Sequence, residues 1–90
     1  MKRFRVLITG IVQGVCFRAY TRKTAGLHQL HGWVRNLDND KVEAVFEGNE
    51  NSLHLMLQWC KQGPPGADVK NIKVIEEPYL DEFHDFSIKY

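Results

Sequence analysis

The 90-residue sequence has almost no net charge, because 12 Lys and Arg residues are balanced by 11 Asp and Glu, which leaves a formal charge of +1. A protein that binds nucleic acid or an anionic membrane over a broad surface needs an excess of basic residues. The balance therefore argues against both kinds of partner, and we expect no nucleic acid and no membrane. Any site for an anion must be local.

Cysteines and long apolar runs are also scarce. Cys16 and Cys60 are too few for a disulfide scaffold, although a single bond between them stays open. No stretch approaches the roughly 18 apolar residues of a membrane span. The apolar run after the basic start is only residues 6–8, shorter than the roughly 7 to 15 residues of a signal peptide. We expect a cytoplasmic protein in which residues 1–90 form one domain.

What is present is a periodic pattern of apolar residues. Alternation predicts a first strand over residues 4–9, with its buried face formed by Phe4, Val6 and Ile8. From Phe17 the apolar spacing changes to three or four residues, which predicts a helix that ends near residues 28–30. We expect that helix to bury Phe17, Tyr20, Thr24 and Leu27.

The rest of the chain predicts a hairpin, a second helix and two more strands. The hairpin spans residues 32–47, with its turn at residues 38–40, because Asn and Asp tolerate the left-handed torsions of tight turns. The second helix begins after Asn49 and ends at Gly63, before two prolines. Its buried stripe is Leu53, Met56, Leu57 and Cys60. Strands follow at 69–75 and 86–90.

This order of elements predicts an α+β fold, the ferredoxin-like two-layer sandwich. Its βαββαβ arrangement forms an antiparallel sheet with two helices on one face, to which this chain adds a short C-terminal strand. We expect Trp33 to pack in the core beside the functional site. We expect solvated faces from a set of acidic residues: Asp38, Asp40, Glu76, Glu77, Asp81, Glu82 and Asp85.

The connection between the first strand and the first helix can hold an anion. Such a turn directs free backbone N–H groups and the positive end of a helix dipole at one point. Gly10 and Gly14 permit unusual torsions, and Arg18 can present its planar fork to two phosphate oxygens. The spacing fits neither the dinucleotide pattern nor the Walker pattern. Spacing alone therefore leaves two interpretations open: a phosphate-binding loop, or an ordinary loop whose glycines serve only to turn the chain.

Two segments resemble the signatures of the acylphosphatase family: Gly10-x-Val12-Gln13-Gly14-Val15-x-Phe17-Arg18 and Gly32-Trp33-Val34-Arg35-Asn36. The resemblance continues to Phe86-x-Ile88, so it covers essentially the whole chain. It implies the ferredoxin-like fold and hydrolysis of the carboxyl–phosphate bond of acyl phosphates to a carboxylate and inorganic phosphate. It also implies that the reaction uses no metal and no cofactor.

The resemblance assigns roles to individual residues. The family's phosphate-binding arginine falls on Arg18, and its water-positioning asparagine falls on Asn36. The phosphate-binding loop consists of Gln13, Gly14, Val15, Cys16 and Phe17 together with Arg18. The implied partners are a small-molecule acyl phosphate and inorganic phosphate, the latter as product and competitive inhibitor, and we expect a monomer.

The resemblance also marks two departures. Gln29 and Asp40 stand where relatives often have glycine. Both positions lie in turns outside the signatures, so they put local stability in doubt rather than catalysis.

Three other functions stay open on the sequence. Cys16 and Arg22 have the Cys-x5-Arg spacing of cysteine-dependent phosphatases. The same fold serves as an RNA-binding module with aromatic residues on its third strand, but residues 41–47 hold one aromatic residue and two acids. The third possibility is a module that binds an anion without turnover. The four histidines lack the paired spacing of a metal site.

Overall fold

The computed structural model describes all residues from Met1 to Tyr90. Two helices, five strands and one short 3₁₀ turn follow one another in this order: β1 (Lys2–Ile11), α1 (Phe17–Leu27), β2 (His31–Asn36), the 3₁₀ turn (Asp38–Asp40), β3 (Val42–Gly48), α2 (Glu50–Gln62), β4 (Asp68–Glu77) and β5 (Phe86–Lys89). The predicted succession of helices and strands is confirmed. No helix is both long enough and apolar enough to cross a bilayer.

The five strands form one sheet in the order β4-β1-β3-β2-β5. Neighbouring strands are antiparallel except β2 and β5, which run parallel. The ferredoxin-like fold is therefore confirmed, and the expectation of a wholly antiparallel sheet holds for β1–β4 only. β4 is the strand at one edge of the sheet, and β5, which follows it in the chain, is the strand at the other edge, where it pairs with β2.

One face of the sheet packs against both helices and holds the core. Alternation along each strand sends every second side chain to that face. The buried apolar side chains of this cluster come from the strands, the helices and the loops between them: Phe4, Val6, Ile8, Val12, Phe17, Ala25, Leu30, Val34, Val42, Ala44, Phe46, Leu53, Met56 and Cys60. The opposite face, which no helix covers, is called the open face below.

The buried side of α1 differs from the prediction. Tyr20 and Leu27 are 41% and 73% exposed, and the row that faces the sheet is Phe17, Thr21 and Ala25. The predicted row took Tyr20, Thr24 and Leu27 after Phe17, whereas the buried row follows Phe17 at intervals of four residues. The hydroxyl of Thr21 donates to the carbonyl of Phe17 at 2.7 Å, so it can be buried without losing a hydrogen bond.

The ends of α2 agree with the prediction. The side chain of Asn49 accepts a hydrogen bond from the N–H of Asn51 at 2.9 Å and so caps the start of the helix. Gly63 ends the helix with φ at 71°, a torsion that favours glycine. Leu53, Met56 and Cys60 are fully buried, and Leu57 packs against the core at its margin.

Ion pairs cover the open face. Arg5 contacts Glu77 at 2.8 Å and Glu43 at 2.9 Å, Arg35 contacts Glu43 at 2.6 Å, and Arg3 contacts Glu77 at 3.0 Å. Arg3 also pairs with Glu82. The expectation of a solvated face holds for Glu82, which is exposed, whereas Glu77 is half-buried between two arginines. The strand register that aligns Arg3 with Glu77 brings these distant charges together.

Trp33 packs against the arginines of this ion-pair network and does not lie beside the expected functional site. Its side chain is on the open face because it alternates with Val34, which belongs to the core. The charged groups of Arg5, Arg35 and Lys89 lie 5.7, 5.2 and 4.4 Å from the centre of its ring. The ring is 7% exposed, so the prediction of burial holds while the predicted location is wrong.

We expect Glu77→Gln to change how stability depends on pH. The hydrogen bond from Arg5, followed by that from Arg3, lowers the pKa of the Glu77 carboxyl. The unfolded chain has the ordinary pKa of about 4.3, so the stabilisation is complete above that pH and is lost as the pH falls through the lower folded pKa. Urea unfolding should show that the variant is less stable than the original protein at pH 7. The difference between their free energies of unfolding should become smaller in acid.

Glu76→Gln is the matched control for that measurement. Glu76 is the exposed neighbour of Glu77 and forms no ion pair. Its replacement should leave the pH profile close to that of the original protein. If Glu77→Gln lowers the free energy of unfolding by the same amount at pH 7 and at pH 3, the stabilising role of the ionised Glu77 is contradicted.

Gln29→Gly should stabilise the protein. Gln29 has φ at 58° and closes α1 in a Schellman motif, where its N–H donates to Gly26 and the N–H of Leu30 donates to Ala25. Left-handed torsions cost an L-residue about 1–2 kcal/mol, and the extra freedom of glycine in the unfolded chain offsets part of the gain. We expect the free energy of unfolding to rise by about 0.5–1 kcal/mol, measured by urea titration.

The same substitution inside α2 provides the control for Gln29→Gly. Gln58 is an exposed residue within α2, so Gln58→Gly should lower the free energy of unfolding by about 1 kcal/mol. Opposite signs for the two variants would attribute the effect to the torsion at Gln29. Equal destabilisation by both would refute that explanation.

Candidate active site

The site begins where β1 runs past its partner β3. The last aligned pair of these strands is Ile8 and Val42, whereas β1 continues beside β4 to Ile11. The register with β4 shifts at Gly10, and a Cβ on Gly10 would lie 2.1 Å from the carbonyl oxygen of Asp68. Only glycine fits this close approach. The chain then leaves the sheet as residues 12–16, called the β1–α1 loop below.

The backbone donors of the β1–α1 loop are free. None of the N–H groups of residues 12–16 donates to another group of the protein. The start of α1 has neither a side-chain cap nor an acidic residue in its first turn, whereas the start of α2 has both, through Asn49 and Glu50. The positive end of α1 and several N–H groups therefore remain available to an anion.

Arg18 supplies a positive charge beside these donors. It lines a cavity of about 350 Å³ at the start of α1. Arg3, Arg5 and Arg35 all pair with glutamates, but Arg18 forms no ion pair although it is half-buried. Its guanidinium lies 4.9 Å from the centre of the Tyr90 ring, a stacking contact that leaves the charge uncompensated.

Asn36 reaches the same cavity from the sheet. It is the last residue of β2 and alternates with Val34, so its side chain lies on the helix-bearing face. The structure thus brings the two residues singled out as catalytic, Arg18 and Asn36, to one cavity. The residues of the expected phosphate loop that line it with them are Gln13, Gly14, Cys16 and Phe17.

Val15 is the member of the expected phosphate loop that does not line the cavity. Its side chain is half-buried and packs against the core. On either side of it the backbone takes left-handed torsions, with φ at 74° for Gly14 and 60° for Cys16. The loop therefore turns tightly at Gly14 and Cys16, and the side chain of Val15 between them anchors it to the core.

Four residues of the cavity wall were not singled out from the sequence: Val12, Ala19, Ile88 and Tyr90. Ile88 lies in β5 and Tyr90 directly follows it, in a segment whose alternation was recognised but whose place in the sheet was not. The pairing of β5 with β2 brings this end of the chain to the cavity. The alternation of Phe86, Ile88 and Tyr90 would have identified them only if the edge that β5 joins had been known.

The cysteine-phosphatase alternative does not fit the geometry. The residues that follow Cys16 form α1, and Arg22 is exposed one turn beyond Arg18. A thiolate mechanism needs a loop whose amides surround the phosphate between the two residues, and a helix cannot provide it. Cys16 is exposed and Cys60 is buried, and both are free. Burial raises the pKa of the Cys60 thiol to about 12.

The open face does not resemble an RNA-binding platform. The positions of β3 on that face are Glu43, Val45 and Glu47, and the first and last of these pair with arginines. The ring of Trp33 on this face is covered by cations rather than open to a base. No group of three or more His, Cys, Asp or Glu side chains is placed to hold a metal ion.

The fold and the cavity define a small α+β protein with a cavity between its first strand and first helix. The sequence profile of the acylphosphatase family matches residues 4–88. The acylphosphatase of Syntrophus aciditrophicus is 52% identical over 90 residues, which are 100% of this chain and 94% of that protein. The acylphosphatase of Aeropyrum pernix is 48% identical over 89 residues, 98% of this chain and 88% of that protein.

A solved structure agrees with these relatives. The crystal structure of acylphosphatase from Bacillus subtilis superposes with a TM-score of 0.96 at 40% identity and covers 100% of both chains. The chain therefore belongs to the acylphosphatase family. It is an enzyme that hydrolyses acyl phosphates, cleaving the carboxyl–phosphate bond to a carboxylate and inorganic phosphate.

Proposed function

We propose that the cavity beside Arg18 is the active site of this hydrolase. The observation that carries the proposal is the unpaired guanidinium of Arg18 next to the free N–H groups of the β1–α1 loop. A phosphoryl group carries several negative oxygens, and a planar guanidinium can bind two of them at once. Arg18 and the backbone of residues 13–17 hold that group in the proposed complex.

The chemistry needs little beyond this cradle. The leaving group is a carboxylate, whose conjugate acid has a pKa of about 4, so no general acid has to protonate it at neutral pH. What remains is to stabilise the charge on the phosphoryl oxygens and to hold one water in line with the bond that breaks. Donors fixed in place before the reaction stabilise that charge without reorganisation.

Asn36 is the residue that we propose for the water. Its side-chain carbonyl can accept a hydrogen bond from the attacking water, while its amide nitrogen can donate to a phosphoryl oxygen. Both groups act from the end of a strand in the centre of the fold, which is a rigid support. The water is thereby placed on the same group that Arg18 holds.

The acyl part of the substrate completes the proposal. Ile88 and Tyr90 also line the cavity, and its volume of about 350 Å³ suits a small molecule. We propose small-molecule acyl phosphates as substrates, no cofactor or metal, and inorganic phosphate as a competitive inhibitor. We further propose that residues 1–90 form one domain that acts as a cytoplasmic monomer.

Arg18→Gln should remove nearly all activity together with inhibition by inorganic phosphate. The same charge pairing holds the phosphoryl group in the substrate and in the transition state, so we expect kcat/KM to fall on the order of a thousandfold. Arg18→Lys should recover little, because an ammonium cannot reproduce the fork. The measurement is steady-state hydrolysis of acetyl phosphate with phosphate as inhibitor.

Arg22→Gln is the matched control for Arg18. It lies one turn further along α1, is exposed and forms no ion pair. Activity and phosphate inhibition should stay close to those of the original enzyme. Normal phosphate inhibition in Arg18→Gln would show that another group anchors the phosphoryl group.

Asn36→Ala should separate catalysis from binding. If Asn36 positions the water, kcat falls by about a hundredfold or more, the usual loss for one positioned group. The inhibition constant of inorganic phosphate should change little, because Arg18 and the loop still bind it. A loss of phosphate affinity as large as the loss in kcat would reassign Asn36 to substrate binding.

A further inference from the structure

The side chain of Gln13 joins two parts of the active site. Its amide nitrogen donates to the carbonyl oxygen of Leu37 at 2.8 Å and to that of Lys41 at 2.9 Å. Because both partners are carbonyl oxygens, the nitrogen and not the oxygen of the amide must face them. Gln13 belongs to the β1–α1 loop, and Leu37 directly follows Asn36.

The register of the sheet explains why a side chain makes this connection. β1 and β3 stop pairing at Ile8 and Val42, so no backbone ladder links the β1–α1 loop to the turn between β2 and β3. That turn, residues 37–41, is closed by one backbone bond, from the N–H of Leu37 to the carbonyl of Lys41 at 2.8 Å. Gln13 adds two bonds where the ladder is missing.

The turn has few bonds of its own. Asn39 and Asp40 have φ at 67° and 61°, in the left-handed region that Asn and Asp tolerate better than other L-residues. One internal bond closes the turn, and Asn36 lies directly before it as the last residue of β2 that pairs with β3. Gln13 ties the turn to the loop that faces the phosphoryl group, so the two sides of the cavity move together.

We infer that the side chain of Gln13 is a positioning residue that fixes Asn36 relative to the β1–α1 loop. The inference rests on the proposed role of Asn36 in holding the attacking water. In-line attack requires the water at a defined distance from phosphorus, and a displacement of about 1 Å can cost up to a hundredfold in rate. The amide nitrogen of Gln13 is already bound to two carbonyl oxygens, so in this inference the side chain acts through Asn36.

A double-mutant cycle tests the inference. Gln13→Met keeps the length of the side chain and removes both donors, so kcat for acetyl phosphate should fall by about tenfold or more. The inhibition constant of inorganic phosphate should stay within about twofold, since a positioning loss affects the transition state. In the Asn36→Ala background, Gln13→Met should cost less than about twofold, because no asparagine remains to be positioned.

Gln58→Met is the control for the kinetic measurements, since Gln58 is exposed on α2, away from the cavity, and makes no side-chain hydrogen bond. It should leave kcat unchanged. Hydrogen exchange of the original protein gives a measurement that needs no variant. The side-chain amide protons of Gln13 should exchange more slowly than those of Gln58, and equal rates would overturn the inference.

The outcomes separate this inference from the proposed function. If Asn36→Ala lowers kcat and Gln13→Met costs the same factor with or without Asn36, Gln13 acts independently and the inference alone fails. The inference also fails if Gln13→Met leaves kcat unchanged, or weakens phosphate binding as much as it lowers kcat. If Asn36→Ala keeps full activity, both the role of Asn36 and the inference are wrong.

Discussion

The proposed active site lies where two neighbouring strands differ in length. β1 continues to Ile11, beyond its last pairing with β3 at Ile8, so one side of β1 has no neighbouring strand where the β1–α1 loop begins. The N–H groups of the loop that follows, residues 12–16, donate no hydrogen bond within the protein. At the same end of the sheet the Gln13 side chain reaches the turn after Asn36. The free donors and the support for Asn36 therefore lie together where the pairing of β1 with β3 ends.

The arginines show how the fold assigns different tasks to one type of side chain. Arg3, Arg5 and Arg35 alternate onto the open face, where glutamates on neighbouring strands neutralise them. Arg18 lies in the first turn of α1 on the other face, where its guanidinium contacts the ring of Tyr90. An aromatic face supports a guanidinium without satisfying its N–H donors, so Arg18 keeps its capacity to bind an anion. The paired arginines and the unpaired Arg18 thus lie on opposite faces of the sheet.

Local patterns in the sequence were enough for the elements and for the residues of the candidate site. Alternation and helical spacing predicted the strands and both helices, and the resemblance singled out Arg18 and Asn36, which the structure brings to one cavity. Two of the failures depended on distant partners. Glu77 is paired because β1 and β4 align it with arginines, and Tyr90 reaches the cavity because β5 joins β2. Thr21 was missed for a local reason, since its hydroxyl donates to the carbonyl of Phe17 one turn earlier in the same helix.

The free donors of the β1–α1 loop can persist because the cavity is open to water. An unpaired N–H group or guanidinium is costly in a dry interior, whereas water can satisfy it at the surface. Strain adds to the cost, since Cys16 occupies a left-handed torsion without capping α1. In the proposed complex a phosphoryl group would replace that water with charged oxygens and bind to donors already fixed in position, so little ordering would be required at the transition state. The loop is therefore less stable locally than a loop whose N–H groups are all paired. The ion pairs of the open face stabilise the sheet that supports it.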